Sequence, residues 1–375
     1  MKNSLRIFLL TRALDLGGAQ RQLVLLARAL RERGHMVEVG VFYSGGSLSA
    51  DLQGCGVEIV QLGKKRRWDW LAFMGHVVFE LRRRRPDVIY SFLGGANVVA
   101  SAARPFIHKT RVVWSVRASN MDLANYGWAS RWSYKLERAL SHTADLIIAN
   151  SSAGAAFAAR NGFPHARLTV IPNGIDTDRF RFDTSLRTEQ RRRFGLDDDA
   201  IAVGVLARLD RMKGHFVFLE AAAQIAPDSP KVRFFCIGEG PELPALKRMA
   251  QVLGIADRVF FPGPQDPVAA LNALDVACSC SLWGEGFSNA IAEAMSCGLP
   301  CVVTDVGDSA AIVDGCGVVV QPASPGALAN GLLRQIGSLS SHDRSTTRRR
   351  VVDNFSIDRM VDRTLSILAP ASGRQ

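Results

Sequence analysis

Ser281–Asp305 reads SLWGEGFSNAIAEAMSCGLPCVVTD, and its reading decides how the chain folds. Gly284, Glu285, Gly286 and Phe287 make a glycine-flanked acidic loop, and Ser288 and Asn289 are residue types that cap a helix running to about Cys297. Gly298 followed by Pro300 stops that helix, and CVVT reads as a short, fully buried strand. With DVACSCS (Asp275–Ser281) ahead of it, the stretch is a strand, a helix and a second strand, the repeating step of a parallel sheet.

The same letters carry chemistry. Glu285 lies just outside the helix and Glu293 lies on it, so two carboxylates and the first free amides of a helix meet. Such amides attract phosphate, while carboxylates accept hydrogen bonds from sugar or ribose hydroxyls. A surface loop beside two solvated acids fits the same residues, and the rest of the chain has to decide.

Upstream, IAVGVLA leads into RLDRMKG (Arg208–Gly214), VRFFCIG into the turn Gly238–Pro241, and RVFFPG ends at Gly263. Arg208 and Lys213 leave a strand end at the mouth of the next helix and suit a diphosphate, the Arg as a fork and the Lys as a point charge. Phe261, Pro262 and Gly263 end a strand on that same side and could floor a nucleobase. Asp197, Asp198 and Asp199 have the chemistry of a Mg²⁺ site. They precede a strand instead of following one, which puts them at the opposite sheet edge, so no metal is expected.

The first half repeats the alternation: LRIFLL, MVEVGVF, VEIV, DVIYSF, RVVWSV and DLIIAN are strands, and AQRQLVLLARALRERG is a helix ending at Gly34. Between the first strand and helix stand Gly17, Gly18, Ala19, Gln20 and Arg21, where paired glycines admit a substrate close to the backbone. A G-x-G-x-x-G dinucleotide fingerprint is absent, and a tight turn with an exposed Arg is the alternative. Ser115, Val116 and Arg117 end an inner strand ahead of Ala118, Ser119 and Asn120 and make Arg117 a candidate for acceptor binding or a structural Arg. VIPNGID (Val170–Asp176) forces a turn, giving domains at residues 1–175 and 176–354. FSIDRMVDRTLSIL is an amphipathic terminal helix at about 355–370, and Arg348–Arg350 ahead of it read as solvated.

Charge divides the halves. The chain of 375 residues has a formal net charge of +11, yet residues 1–175 hold 24 Lys/Arg against 11 Asp/Glu and the remainder 22 against 24. A partner of the first domain alone is implied: an anionic membrane surface, a phosphorylated acceptor or nucleic acid. KKRRWDW (Lys64–Trp70) and Arg82–Arg85 flank LAFMGHVVFEL, whose Leu71, Met74, Val78 and Leu81 recur at helical spacing, as an interfacial helix requires. Asn125–Leu140, NYGWASRWSYKLERAL, offers a second aromatic and basic contact. A buried helix with a solvated basic rim is the alternative, and no nucleic-acid module is present, which sets nucleic acid aside. The seven cysteines lack C-x-x-C spacing and read as reduced thiols of a cytosolic enzyme. MKNSLRIFLL reads as a first strand and not a signal peptide, and no run is apolar enough to span a membrane, so any membrane contact is peripheral.

GGAQR, VIPNGID, ARLDRMKG, GEGPE and the Glu-x7-Glu of WGEGFSNAIAEAMSCGLPCVVTDVGD together resemble glycosyltransferase family 4 over essentially the whole chain. The resemblance implies the GT-B fold: α/β, two Rossmann-like domains facing across a cleft, with the C-terminal helix crossing back to the first. It implies a retaining, metal-independent hexosyltransferase using a nucleotide-diphosphate sugar as substrate, with no cofactor. Carried over by position, Arg208 and Lys213 hold the diphosphate, Glu285 contacts the donor sugar, and Glu293 binds the ribose. Gly286, Phe287 and Ser288 present amides to the donor, and Gly17 and Gly18 close on it; Phe261 and Gly263 join the donor site from the strand-end reading above. Gln20, Arg21, Ser115 and Arg117 are left for the acceptor. Many members carry a His where this chain has Ser115-Val116-Arg117, which implies a different acceptor pocket. A UDP-sugar donor and a lipid-linked saccharide acceptor of bacterial surface polysaccharide are expected. A soluble acceptor, or nucleotide-sugar binding without catalysis, are the alternatives.

Overall fold

The computed structural model describes residues 4–15, 17–65, 69–107, 109–117 and 128–368, with the side chains of 128–131 left aside. Arg66, Arg67 and Trp68 of the first basic cluster, Ala118–Asn120, and the start of the Asn125–Leu140 stretch therefore lie outside the described residues. The chain forms two compact units, one running to Gly174 and resuming at Ile357, the other Ile175–Ser356.

In the first unit seven strands form a wholly parallel sheet in the order β3-β2-β1-β4-β5-β6-β7. They are β1 (Arg6–Thr11), β2 (Met36–Val41), β3 (Glu58–Gln61), β4 (Val88–Phe92), β5 (Arg111–Val116), β6 (Leu146–Ala149) and β7 (Leu168–Val170). Strand periodicity sends Ile7 and Leu9 to one face and Phe8 and Leu10 to the other, and both faces are covered. The Gly18–Glu32 helix packs on the first face with the terminal Ile357–Leu368 helix, whose Met360, Val361 and Leu368 enter the same cluster. Arg33 fixes that helix by pairing with Asp358 at 2.7 Å and with Asp362. The second face is covered by Phe73, Val77 and Leu81 of the Trp70–Arg84 helix and by Ala96, Val99 and Ala100 of the Gly94–Ala103 helix.

The second unit holds six parallel strands in the order β10-β9-β8-β11-β12-β13. These are β8 (Ile201–Leu206), β9 (Val232–Ile237), β10 (Val259–Gly263), β11 (Val276–Ser279), β12 (Cys301–Thr304) and β13 (Gly317–Val320). Val203, Phe234 and Val302 pack to one side, Ala202, Phe235 and Val303 to the other. Two such sheets between helices are the α/β architecture the alternation of the sequence predicts. β7 and β13 are additions, each short and only partly buried, at an edge of its own sheet.

The basic runs differ from a solvated rim. Arg84 turns inward and pairs with Glu80 at 2.9 Å, Glu58 at 2.7 Å and Glu38, carboxylates from its own helix, β3 and β2. Burial works against ionised Glu80, yet the hydrogen bonds of Arg83 and Arg84 hold its carboxyl below the usual range. Arg348 is likewise structural, donating to the carbonyls of Thr177 at 2.7 Å, Phe180 at 2.8 Å and Ser296 at 2.7 Å. Arg350 donates to the Ile312 carbonyl at 2.7 Å. Nor does the apolar stripe of the Trp70–Arg84 helix face outward as a whole. Leu81 is buried, Met74 and Val78 rest against the core, and Trp70, Leu71 and Phe79 are the exposed apolar side chains.

Removing one partner of a buried pair strands the others, so Arg84→Met lowers stability by about 3 kcal/mol. Arg83→Met, at a half-exposed guanidinium, costs under about 1 kcal/mol. Urea unfolding curves of the two variants check the contrast.

Candidate active site

In the second sheet the strand order runs one way from β8 to β10 and the other way from β11 to β13. The loops after β8 and β11 therefore part and leave a crevice at the carboxyl ends of the strands, where open α/β sheets bind ligands. Lys213 stands in the first of these loops and Glu285 in the second. Lys213 Nζ donates to Glu285 Oε2 at 2.7 Å across 72 residues of sequence, with side chains 21% and 9% exposed.

Backbone geometry aims both groups. Asp210 caps the short 3₁₀ turn Arg211–Lys213 by accepting from the Lys213 amide at 3.2 Å. Gly214 follows at φ +65, where a Cβ would lie 2.1 Å from the Cys280 carbonyl oxygen, and the Cys280 thiol donates to the Lys213 carbonyl at 3.1 Å. On the other loop, a Cβ on Gly307 (φ +64) would stand 2.3 Å from the Glu285 carbonyl oxygen, and the Asp308 amide donates to Gly286 at 2.9 Å. Each loop is thus drawn against its neighbour by a glycine that no other residue replaces without strain.

The remaining expected residues fall at varying distances from this pair. Arg208 is exposed, with Nε 3.7 Å from Asp210, and is not joined to Lys213 as a closed two-cation clamp. Glu293 is buried on the Asn289–Ser296 helix; burial first and then this carboxylate push the Cys297 thiol up to about 12. Ser288 occupies the N-cap position, but its hydroxyl does not cap the helix. Phe287 turns its ring into the core against Phe355, centroids 5.3 Å apart, so only its backbone is available to a ligand. Phe261 and Gly263 end β10, with β9 between that strand and β8, and Phe261 rests partly on the core.

The first unit has its own reversal, between β1 and β4. Gly17 precedes the Gly18–Glu32 helix, and a Cβ there would meet Gln20 Oε1 at 2.4 Å, so Gln20 folds over it. The Arg21 amide donates to the Gly17 carbonyl at 2.9 Å. Opposite stand Gly94 and Gly95, which sequence reasoning passed over although, like Gly17 and Gly18, they are paired glycines after an apolar strand. Gly94 leaves room for Glu137, whose carboxylate accepts from Asn97 Nδ2 at 2.7 Å. Burial raises the Glu137 carboxyl above its ordinary value despite that bond. Arg117 donates to Ser115 Oγ at 2.7 Å and Asn173 Oδ1 at 2.6 Å and lies 4.6 Å over the Phe92 ring. Gln22, also unmarked by any motif, clasps Gly174 through two bonds of 2.9 Å.

His215 is the most conspicuous residue no motif announced. It begins the helix after Gly214, is buried, and among the described residues neither ring nitrogen has a hydrogen-bond partner. Burial, with Lys213 nearby, pushes its pKa from 6.5 down to about 4. An unfolded chain takes up this proton near 6.5 and the folded one near 4, so stability is complete above that window and is lost as pH falls through it. His215→Phe removes this component, worth on the order of 3 kcal/mol between pH 7 and 4. Chemical denaturation at both pH values checks that the variant's loss is smaller by that amount.

The chain matches the model of Glycosyltransferase Family 4 over residues 16–179 and that of Glycosyl transferases group 1 over residues 200–337. A D-inositol 3-phosphate glycosyltransferase from Geodermatophilus obscurus is 30% identical over 96% of this chain and 86% of that enzyme. A GDP-mannose-dependent alpha-(1-6)-phosphatidylinositol monomannoside mannosyltransferase from Mycolicibacterium smegmatis is 36% identical over 37% of this chain. The chain spans about half the length, or less, of that relative and of a Corynebacterium urealyticum D-inositol 3-phosphate glycosyltransferase, with 38% and 51% of them covered. Among solved structures, Anabaena Alr3699/HepE in complex with UDP superposes with a TM-score of 0.86 at 24% identity, covering 97% of this chain and all of that one. Two parallel sheets, the two family matches and a relative covered to 86% of its length at 30% identity place this chain in glycosyltransferase family 4, on the GT-B fold.

Proposed function

We propose that this chain transfers a sugar from a nucleotide-diphosphate sugar, a UDP-sugar, to a lipid-linked saccharide, with retention at the anomeric carbon and without a metal. The observation that carries this reading is the Lys213–Glu285 pair at the strand-order reversal of the second sheet. An ammonium and a carboxylate side by side suit a reaction that separates charge, with negative charge on the departing diphosphate and positive charge on the sugar. Lys213, with Arg208 swinging from its exposed position, stabilises the leaving diphosphate; such electrostatic stabilisation is usually the largest catalytic term. Glu285 positions the sugar and faces the developing positive charge, and Glu293 accepts from the ribose hydroxyls. The bond from the anomeric carbon to the diphosphate breaks while the acceptor oxygen attacks the same face, and a diphosphate oxygen takes the acceptor proton. The UDP-bound state of the Anabaena structure and the two sheets it shares with this chain support the choice of nucleotide.

The lipid-linked acceptor, in a bacterial surface-polysaccharide pathway at the cytoplasmic face of the membrane, rests on the first unit. No helix of the described residues is long and apolar enough to cross a membrane. Leu71, Phe79, Phe106, Trp132 and Leu136 are exposed, and all belong to segments on the sheet face that carries the Trp70–Arg84 helix. Arg82, Arg83, Arg85 and Lys135 accompany them, the combination that binds anionic lipid at its interface. The mycobacterial relative named for a phosphatidylinositol mannoside agrees with an acceptor of this kind.

A panel of UDP- and GDP-sugars, read by nucleotide release with a lipid-linked saccharide present, tests the transfer. One UDP-sugar is expected to turn over, with the new bond keeping the donor's anomeric configuration by NMR. Glu285→Gln and Lys213→Met each lower kcat by about 100-fold or more; full turnover in either variant overturns the assigned roles.

A further inference from the structure

At the edge of the first sheet remote from the Gly17 and Gly94 loops, Arg104, Ile107, Lys109, Thr110, Arg111 and Asp145 line an open depression of about 550 Å³. Arg111 is the first residue of β5, and Asp145 immediately precedes β6, so the depression lies at the amino ends of the strands. Substrates of open α/β sheets bind at the other ends, which leaves this opening without a part in the transfer.

Its charge is one-sided. Arg104 grips Asp145 through two bonds of 2.9 and 2.7 Å, and Asp145 also accepts from the Val112 amide at 2.8 Å, so the one carboxylate is already met. Lys109 and Arg111 then contribute two positive charges. Arg111 donates to the neutral carbonyl of Ile367, and among the described residues neither cation forms an ion pair. Lys109 is held at φ +67, a left-handed conformation that glycine or asparagine adopts more cheaply. Strained backbone occurs at ligand-holding sites as well as at tight turns, and here it carries a cation beside a depression.

Apolar side chains are exposed on the same face. Phe106, beside Ile107, is half-exposed, and its carbonyl accepts from Arg82 Nε at 2.9 Å. Arg82 shares its helix with Phe79, three residues before it and 61% exposed. A dissolved phosphate compound gives no reason for exposed Phe106 and Phe79 on the same face. A phospholipid does, because its phosphate sits at headgroup depth and apolar side chains enter the layer below. We propose that this depression binds the phosphate headgroup of an anionic membrane lipid, with Lys109 and Arg111 on the phosphate and Phe106 in the interface. The proposal rests on the peripheral membrane reading given above and adds to it a headgroup preference.

Flotation of the full chain with phosphatidylcholine vesicles doped with phosphatidic acid, or with phosphatidylserine at matched surface charge, tests it. Binding to the exposed phosphomonoester is expected to be at least about fivefold tighter. Lys109→Asn, which suits the left-handed backbone, combined with Arg111→Gln should abolish that preference while leaving phosphatidylserine binding and Tm in place; if the pair unfolds, Lys109→Asn alone is read. Equal wild-type binding to the two lipids, or a preference that survives the substitutions, overturns the headgroup site while the membrane reading stands. Absence of binding to every vesicle overturns both. Protection of Lys109 from acylation by glycerol phosphate, with no vesicle binding, assigns the depression to a soluble ligand and likewise overturns it.

Discussion

The Lys213–Glu285 pair is the constraint on which the second unit is arranged. Two charges largely withdrawn from water lose hydration, and the loss is offset only when both are fixed at contact. Here the fixing is done by backbone. Gly214 lets its loop press against the Cys280 carbonyl, Gly307 lets the β12 loop press against that of Glu285, and Leu282 donates to the Met212 carbonyl at 2.8 Å. Three loops from β8, β11 and β12 are stitched into one surface, and the charged atoms ride on it with little freedom. That is what a site needs if its dipoles are to be in place before charge moves.

The first unit solves the same topological problem with different chemistry. Its strand-order reversal is also lined by glycines, Gly17 and Gly94, but the polar groups behind them are mostly neutral. Ser91 donates to Asn97 at 2.7 Å, Asn97 to Glu137, and Arg117 to Ser115 and Asn173. A network of hydroxyls and amides with one carboxylate of raised pKa and one guanidinium already bonded to neutral oxygens suits recognition of hydroxyl-bearing molecules. The Asn173–Gly174 turn is held by Arg117 and by Gln22, so the residues beside the Gly17 loop also fix where the chain leaves this unit.

How much of this the sequence discloses follows from how local each feature is. Buried parallel strands announce themselves as apolar runs, so eleven of them can be read from LRIFLL, RVVWSV, IAVGVLA and their like. β7 and β13 escape because three or four half-exposed residues leave no such run. The acids and cations of the site are legible as residue types at strand ends, yet no spacing pairs Lys213 with Glu285 and leaves Arg208 beside Asp210. Arg84 misleads for the converse reason. Along the chain it belongs to a run of four arginines, while Glu38 and Glu58 reach it from β2 and β3. His215 has no signal at all, because burial of both ring nitrogens depends on the packing around its helix.

Arg84 also changes what the charge asymmetry of the halves means. Part of the basic excess of residues 1–175 is consumed internally, by Glu38, Glu58 and Glu80 around Arg84 and by Asp145 around Arg104. What is left is not spread evenly. Lys65, Arg82, Arg83, Arg85, Lys109 and Lys135 lie on or beside the helices that cover Phe8 and Leu10, and so do the exposed Trp70, Leu71, Phe79, Phe106, Trp132 and Leu136. A surface selected for solubility alone places charge where apolar side chains are absent. On the membrane reading proposed above, this face meets a layer that is anionic at its surface and apolar beneath, which takes up both kinds of side chain.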